Sequence, residues 1–234
     1  NSPRLSEKKG FRGYFTIQEL MGNLRFGLTW EGADKYYDQN ELGFFSRNDF
    51  QSFSAMFRYR IFKEIKFLRT YTNYLRIGER FRFNDATRTG GGFRFGNNFE
   101  TKNLTKFELD FDYTGETKDY YEPRSVDMYF IEPKNYGVKF GFETNSNKTF
   151  SYGTEFETSE SVNKQFDENK YSNRFRLKTK YRISNKATLS TESQSERIND
   201  DVGFLQKKED DIHFGIREVK SFENTIDLTY NIDN

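Results

Sequence analysis

The sequence predicts an all-β fold: an antiparallel up-and-down transmembrane β-barrel, of which residues 1–234 supply one part, about eleven strands in a single domain. Three observations carry this expectation. Apolar side chains recur at every second position, as at Tyr136, Val138, Phe140 and Phe142, with Gly137, Lys139, Gly141 and Glu143 alternating with them. A period of two gives a strand one apolar and one polar face. Next, only 34% of the 234 residues are hydrophobic and 31% are charged, yet Phe, Tyr and Trp make up 18%. So aromatic a chain is not disordered, and so charged a chain lacks the core of a soluble two-layer domain; a lipid-facing skin around a wet lumen accounts for both. Finally, short polar turns near residues 22, 64, 103, 146 and 185 recur about every 40 residues, with longer, variable segments between them.

Taken in order, Asn1 to Gly10 reads as a polar loop. Phe11, Phe15 and Ile17 mark one face of a first strand and Leu24, Phe26, Leu28 and Trp30 the same face of the next. The change from odd to even numbers calls for a two-residue turn at Met21-Gly22. A long loop over 32–51 leads to Phe53, Ala55, Phe57, Tyr59 and Ile61, and after a turn at Lys63–Ile65 to Phe67, Tyr71, Leu75 and Ile77. Thr87 to Gly96, with three consecutive glycines, reads as a bend before Phe93, Phe95 and Phe99; Lys102-Asn103-Leu104 then turns the chain into Phe107, Leu109, Phe111 and Tyr113. Beyond a long segment, 114–134, the even-numbered pattern suggests a hairpin with Phe142 opposite Phe150 and a three-residue loop, Asn145 to Asn147. A further hairpin, 171–196, turns at Ser184-Asn185-Lys186, which sets Arg174 opposite Glu196, Lys178 opposite Glu192 and Tyr181 opposite Leu189. Residues 160–170 and 199–211 read as loops. The long loops 32–51, 114–134, 160–170 and 199–211 should share one rim, the extracellular one. Eleven is odd where single-chain bacterial barrels have even numbers of strands, and the chain begins without Met, so it is expected to be a piece of a longer protein.

The alternation assigns the candidate residues. Phe26, Leu28, Phe107, Leu109, Phe140 and Phe142 are expected to face lipid. Glu108, Asp110 and Asp112 form an acidic row and Arg174, Arg176, Lys178 and Lys180 a basic row on the lumen side. These rows fit either a lumen that selects a polar solute or cross-strand ion pairing that stiffens a wet wall; the pairing reading carries more weight. Loop residues Phe44, Tyr120, Tyr121, Glu122 and Arg124 are candidates for loop-on-loop packing or for contact with a surface partner. No catalytic residue, metal or cofactor is expected. His213 is the lone histidine, which leaves no histidine-based triad with a base and orienting partner to choose between. Asp200, Asp201, Glu209, Asp210 and Asp211 could gather around calcium only if their loop folds back, and their spacing matches no EF-hand. A net charge of +1 gives no case for nucleic acid, and with no cysteine there are no disulfides. No apolar run approaches the roughly 18 residues of a membrane helix, so any crossing is by strands.

Four phrases carry a resemblance: Tyr37 to Phe44 ending in Arg47-Asn48; Asp119 to Arg124 with Asn135-Tyr136; Asn199 to Phe204; and Asp211 to Thr225. Together and in this order they resemble the C-terminal barrel of a family of large outer-membrane proteins of Bacteroidota, whose N-terminal domain is a family 9-like carbohydrate-binding module. The resemblance implies the outer membrane of a Gram-negative bacterium, with the lipid bilayer and other outer-membrane or surface proteins as partners. The carbohydrate-binding domain has no counterpart here, so sugar binding falls on no residue of this chain. The expected function is transport, or a platform for surface assembly, with no catalysis in this segment. The alternatives are a surface-exposed β-rich adhesion module and, on the family's carbohydrate link alone, a carbohydrate-active enzyme. An adhesion sandwich would require its aromatic face to interdigitate with a second sheet, whereas a barrel leaves that face to lipid.

Overall fold

The structure is a computed structural model describing residues 9–37, 48–120, 128–163, 168–208 and 211–232. Those residues form an 11-stranded antiparallel sheet and a separate two-stranded one, with no helix. The main sheet runs β1 (Arg12–Gln18), β2 (Leu24–Ala33), β3 (Phe50–Ile61), β4 (Leu68–Phe81), β5 (Arg88–Thr101), β6 (Lys106–Thr114), β9 (Lys134–Glu143), β10 (Phe150–Asn163), β11 (Glu168–Arg182), β12 (Ala187–Lys208) and β13 (Asp211–Tyr230). Between β6 and β9, the small hairpin β7 (Thr117–Asp119) and β8 (Phe130–Glu132) forms the second sheet. Each main strand pairs with its predecessor, so short turns gather at one rim and the other connections at the opposite rim. The sheet is not closed: β1 and β13 are its two edges.

Away from the register shifts in β4–β5 and β12–β13, side-chain alternation keeps one set of residues on each face across the strand pairs. Phe26 is aligned with Phe57, Phe107 with Phe99 and Phe142, and Phe140 with Leu109 and Phe156. Rings meet across the strands, Phe99 on Phe107 at 4.8 Å and Phe107 on Phe142 at 5.1 Å between centroids. The 171–196 hairpin takes its expected register, with Arg174 opposite Glu196, Lys178 opposite Glu192 and Tyr181 opposite Leu189.

Other expectations are corrected. Phe142 lies opposite Thr154, not Phe150. Thr144 sets that register: its hydroxyl donates to the Tyr152 carbonyl at 3.0 Å and accepts from the Tyr152 amide at 2.8 Å. The turn is therefore longer than three residues, and because the shift is even the faces are unchanged. The first turn is also longer than two residues: 19–23 lie outside the strands, with Gly22 at φ 80°. Gly90, Gly91 and Gly92 are not a bend but part of β5. A Cβ at Gly90 would collide with Thr117, and one at Gly92 with the Tyr113 backbone, so strands pack here at backbone distance. The reversal itself lies at 82–87. Segment 114–134 contains β7 and β8 rather than loop alone, residues 160–163 and 168–170 of the expected loop 160–170 belong to β10 and β11, and 199–208 continues β12 instead of leaving it. Two register shifts, at Ile198/Asp201 and Phe204/Gln206, break the alternation there and hide the strand from a period-two reading.

The sheet is curled. The β7–β8 hairpin sets Thr117 against Gly90 of β5 and stacks Phe130 on Phe214 of β13 at 4.7 Å. In a flat sheet those two strands, six steps apart in order, would be separated by about 29 Å at roughly 4.8 Å per step, far more than a hairpin of two three-residue strands spans. Likewise Arg60 of β3 and Asp227 of β13 line one cavity of about 610 Å³. That cavity opens on the polar face, so the polar face is concave and the aromatic face convex.

Candidate functional site

The concave face is built from alternate residues of successive strands, and over β6 to β12 a run of its charges is paired. Lys106 reaches Glu143 at 3.2 Å; Lys139 lies between Glu108 at 3.1 Å and Glu155 at 3.4 Å. Arg174 bridges Glu157 at 3.2 Å and Glu196 at 2.7 Å. Arg176 meets Glu155 and Glu192, both at 3.2 Å, and donates to the Gln194 amide oxygen at 2.8 Å; Lys178 meets Glu192 at 3.5 Å. Glu155 at the centre thus has a cation on each side, Lys139 on β9 and Arg176 on β11. The acidic row of Glu108, Asp110 and Asp112 does not pair with the basic row of β11, because β9 and β10 lie between them. Glu108 answers to Lys139 instead. Asp110 is buried, with one carboxylate oxygen lacking a partner, and Lys180 lies between Ser151 and Ser190 on the neighbouring strands.

Over β2 to β5 the same face is different. Arg25 lies directly opposite Arg58, and Arg76 directly opposite Arg94. No ion pair forms at any of the four among the described residues. Each occupied a polar-face position in the sequence, but only the register across β2–β3 and β4–β5 brings them side by side.

The convex face carries Phe57, Phe140, Phe156 and Phe175, each 45–46% exposed, while Asp110 and Ser151 on the concave face are 5% exposed. The usual arrangement of a water-soluble sheet is inverted. Tyrosines and Trp30 sit toward the ends of the convex stripe: Tyr59, Tyr152 and Tyr181 near the short turns, Trp30, Tyr113, Tyr136 and Tyr171 near the other rim. At about 3.3 Å per residue, the run from Tyr171 to Tyr181 covers roughly 33 Å of strand, or about 25 Å along an axis from which it is tilted by ~40°. Phe26, Leu28, Phe107, Leu109, Phe140 and Phe142 all lie in this stripe.

At the rim opposite the short turns, the connections are held by charge. Arg82 pairs with Asp49 at 2.8 Å and Asp85 at 3.1 Å and lies over the Tyr120 ring at 4.9 Å. The Asp49 hydrogen bond raises the Arg82 pKa, and hydrogen bonds from Thr87, the backbone amide above all, hold Asp85 below the usual carboxylate range. Tyr120 also contacts Tyr129 of the same connection at 5.3 Å. Phe44, Tyr121, Glu122 and Arg124, and the N-terminal residues 1–8, lie outside the described residues. Beyond the level of Tyr171, Asp201 accepts from Lys170 at 2.5 Å and from Arg217 at 2.7 Å. Burial pushes its pKa up, but the two cations outweigh that and hold it below the ordinary aspartate value. Asp201 is therefore engaged by cations, and Asp201 and Asp211 lie in paired strands; Glu209 and Asp210 lie outside the described residues. Among the described residues no group of three or more His, Asp or Glu is placed to hold a metal, and no helix is long and apolar enough to cross a membrane.

Neither curated proteins nor solved structures give a significant match to this chain. A family match does cover it from residue 2 to residue 234: the chain belongs to the family described as a domain of unknown function, DUF5916.

Proposed function

We propose that the eleven-stranded sheet is part of the wall of an outer-membrane β-barrel, non-catalytic in this segment, that carries a polar solute through its concave, charged interior. The observation that carries the reading is the inversion of burial together with the tyrosine-bounded stripe. A convex face of half-exposed phenylalanines is a far larger apolar patch than monomeric soluble proteins leave in water. Its height matches the roughly 25 Å apolar band of such barrels, with aromatics at both borders. Hydrocarbon is the solvent this face suits. Pairing along the free edges of β1 and β13 completes the wall, since an open edge in lipid leaves backbone groups unsatisfied. The alternating connections then put segments 34–49, 82–87 and 115–133 on the extracellular side and the short turns on the periplasmic side.

The full-length protein, expressed in a Gram-negative host, tests this directly. It should fractionate with the outer membrane and run faster on a denaturing gel before boiling than after. Recovery in the soluble fraction, with no heat-dependent mobility, would overturn the barrel and favour a surface adhesion module.

A further inference from the structure

The concave wall is electrostatically divided. Over β6 to β12, Lys106, Lys139, Arg174, Arg176 and Lys178 each lie within 3.5 Å of a carboxylate. Over β2 to β5, the cross-strand pairs Arg25–Arg58 and Arg76–Arg94 set like charges directly opposite each other, and none of the four is in an ion pair among the described residues. Arg94 is also aligned with Asp112 on β6, again without an ion pair. Like charges directly opposite each other destabilise a sheet, and neutral residues would cost nothing in their place. The group is held open as well. Arg25 lies over the Phe62 ring at 5.7 Å and Arg60 over the same ring at 5.0 Å, contacts that direct guanidinium stems without neutralising them. On the same face Gly27 is aligned with Met56, the partner of Arg76, and Gly78, two residues beyond Arg76 on β4, with Ser54 and Gly92, which leaves space beside the group.

We propose that this arginine group on β2 to β5 binds oxyanions, the phosphate or sulfate groups of a solute in the barrel interior. The inference rests on the barrel reading for its setting but is separate from it. Planar guanidiniums engage phosphate and sulfate oxygens two at a time, a geometry lysine does not offer. The repulsion among unpaired guanidiniums is relieved when a multiply charged anion lies between them. On the opposite wall Arg174 and Arg176 are already held by carboxylates, and Lys180, which lies between serines, offers a point charge rather than a planar fork, so two-oxygen binding falls to the β2 to β5 side.

The test uses the full-length protein folded in an uncharged detergent, with folding established first by heat-dependent gel mobility. Failure at that stage rejects the barrel reading. Folded protein is then titrated at constant ionic strength with inorganic phosphate and, separately, with a sulfated disaccharide, so that binding of an isolated group is distinguished from binding of a glycan. Both titrations should give saturable binding. Arg58→Gln/Arg76→Gln should lower affinity by about tenfold for each guanidinium removed, while raising the unfolding midpoint because repulsion is relieved. Arg76→Lys should keep the stability of the parent and lose part of the affinity. Lys178→Gln removes one charge from the paired wall and should leave affinity within about twofold. Folded protein that binds neither probe, or loses as much affinity with Lys178→Gln as with the double substitution, overturns the proposal.

Discussion

Phe175→Arg and Arg176→Ala are adjacent substitutions on opposite faces of β11, and the structure predicts very different costs. Phe175 is 45% exposed, lies between Tyr171 and Tyr181, and is aligned with Phe156. In water, replacing a half-buried phenylalanine would lose only about 1 kcal/mol of burial. Near the middle of a bilayer an arginine adds about 2–4 kcal/mol. Arg176 makes more contacts, with Glu155, Glu192 and Gln194. Yet its loss leaves Glu155 with Lys139 at 3.4 Å and Glu192 with Lys178 at 3.5 Å. Its removal should therefore cost about 1 kcal/mol. The assay is urea unfolding of the full-length protein in phospholipid vesicles, followed by the folded band's gel mobility. Phe175→Arg should shift the midpoint far more than Arg176→Ala. Equal shifts, or a Phe175→Arg cost no larger than the burial term, would refute the lipid-facing assignment.

The depressed pKa of Asp201 makes the β12–β13 extension pH-dependent. Its contribution is complete above the ordinary aspartate pKa of 3.8 and is lost as pH falls through the lower folded value, so hydrogen exchange over 200–217 should accelerate only in strong acid; Asp201→Asn should accelerate it at pH 7 and flatten the pH response. Gly90→Val places a side chain where Thr117 sits and should displace the β7–β8 hairpin, read as faster tryptic cleavage after Lys118 with the β-sheet circular dichroism unchanged. Thr144→Val removes both side-chain hydrogen bonds to Tyr152, leaving the backbone one, and should cost about 1–2 kcal/mol in the same unfolding assay. Protease added to intact cells should cut within 34–49 or 115–133; cleavage at the turns around Asn103 or Asn185 with those segments spared would reverse the topology.

The two faces of each strand were legible in the sequence, because alternation is a local property and Phe140 and Lys139 cannot share a face of one strand. Where a turn was tight and regular, as at Ser184-Asn185-Lys186, register was legible too, and with it the Arg174–Glu196 pairing. It was not legible at Phe142, where a register differing by an even number of residues preserves the same alternation; the Thr144 hydroxyl decides between the two. Nor was it legible at 199–208, where the bulge at Asp200, with φ 56°, reverses the alternation. Gly90 to Gly92 had the composition of a bend, and only the approach of Thr117 and Tyr113 explains them as strand. Sequence alone determined that one face is aromatic and the other charged. Tertiary structure decided that the charged face is concave and that Arg25, Arg58, Arg76 and Arg94 meet there unpaired. Curvature and strand-to-strand register arise from contacts between residues far apart in the chain, and a local period carries no record of them.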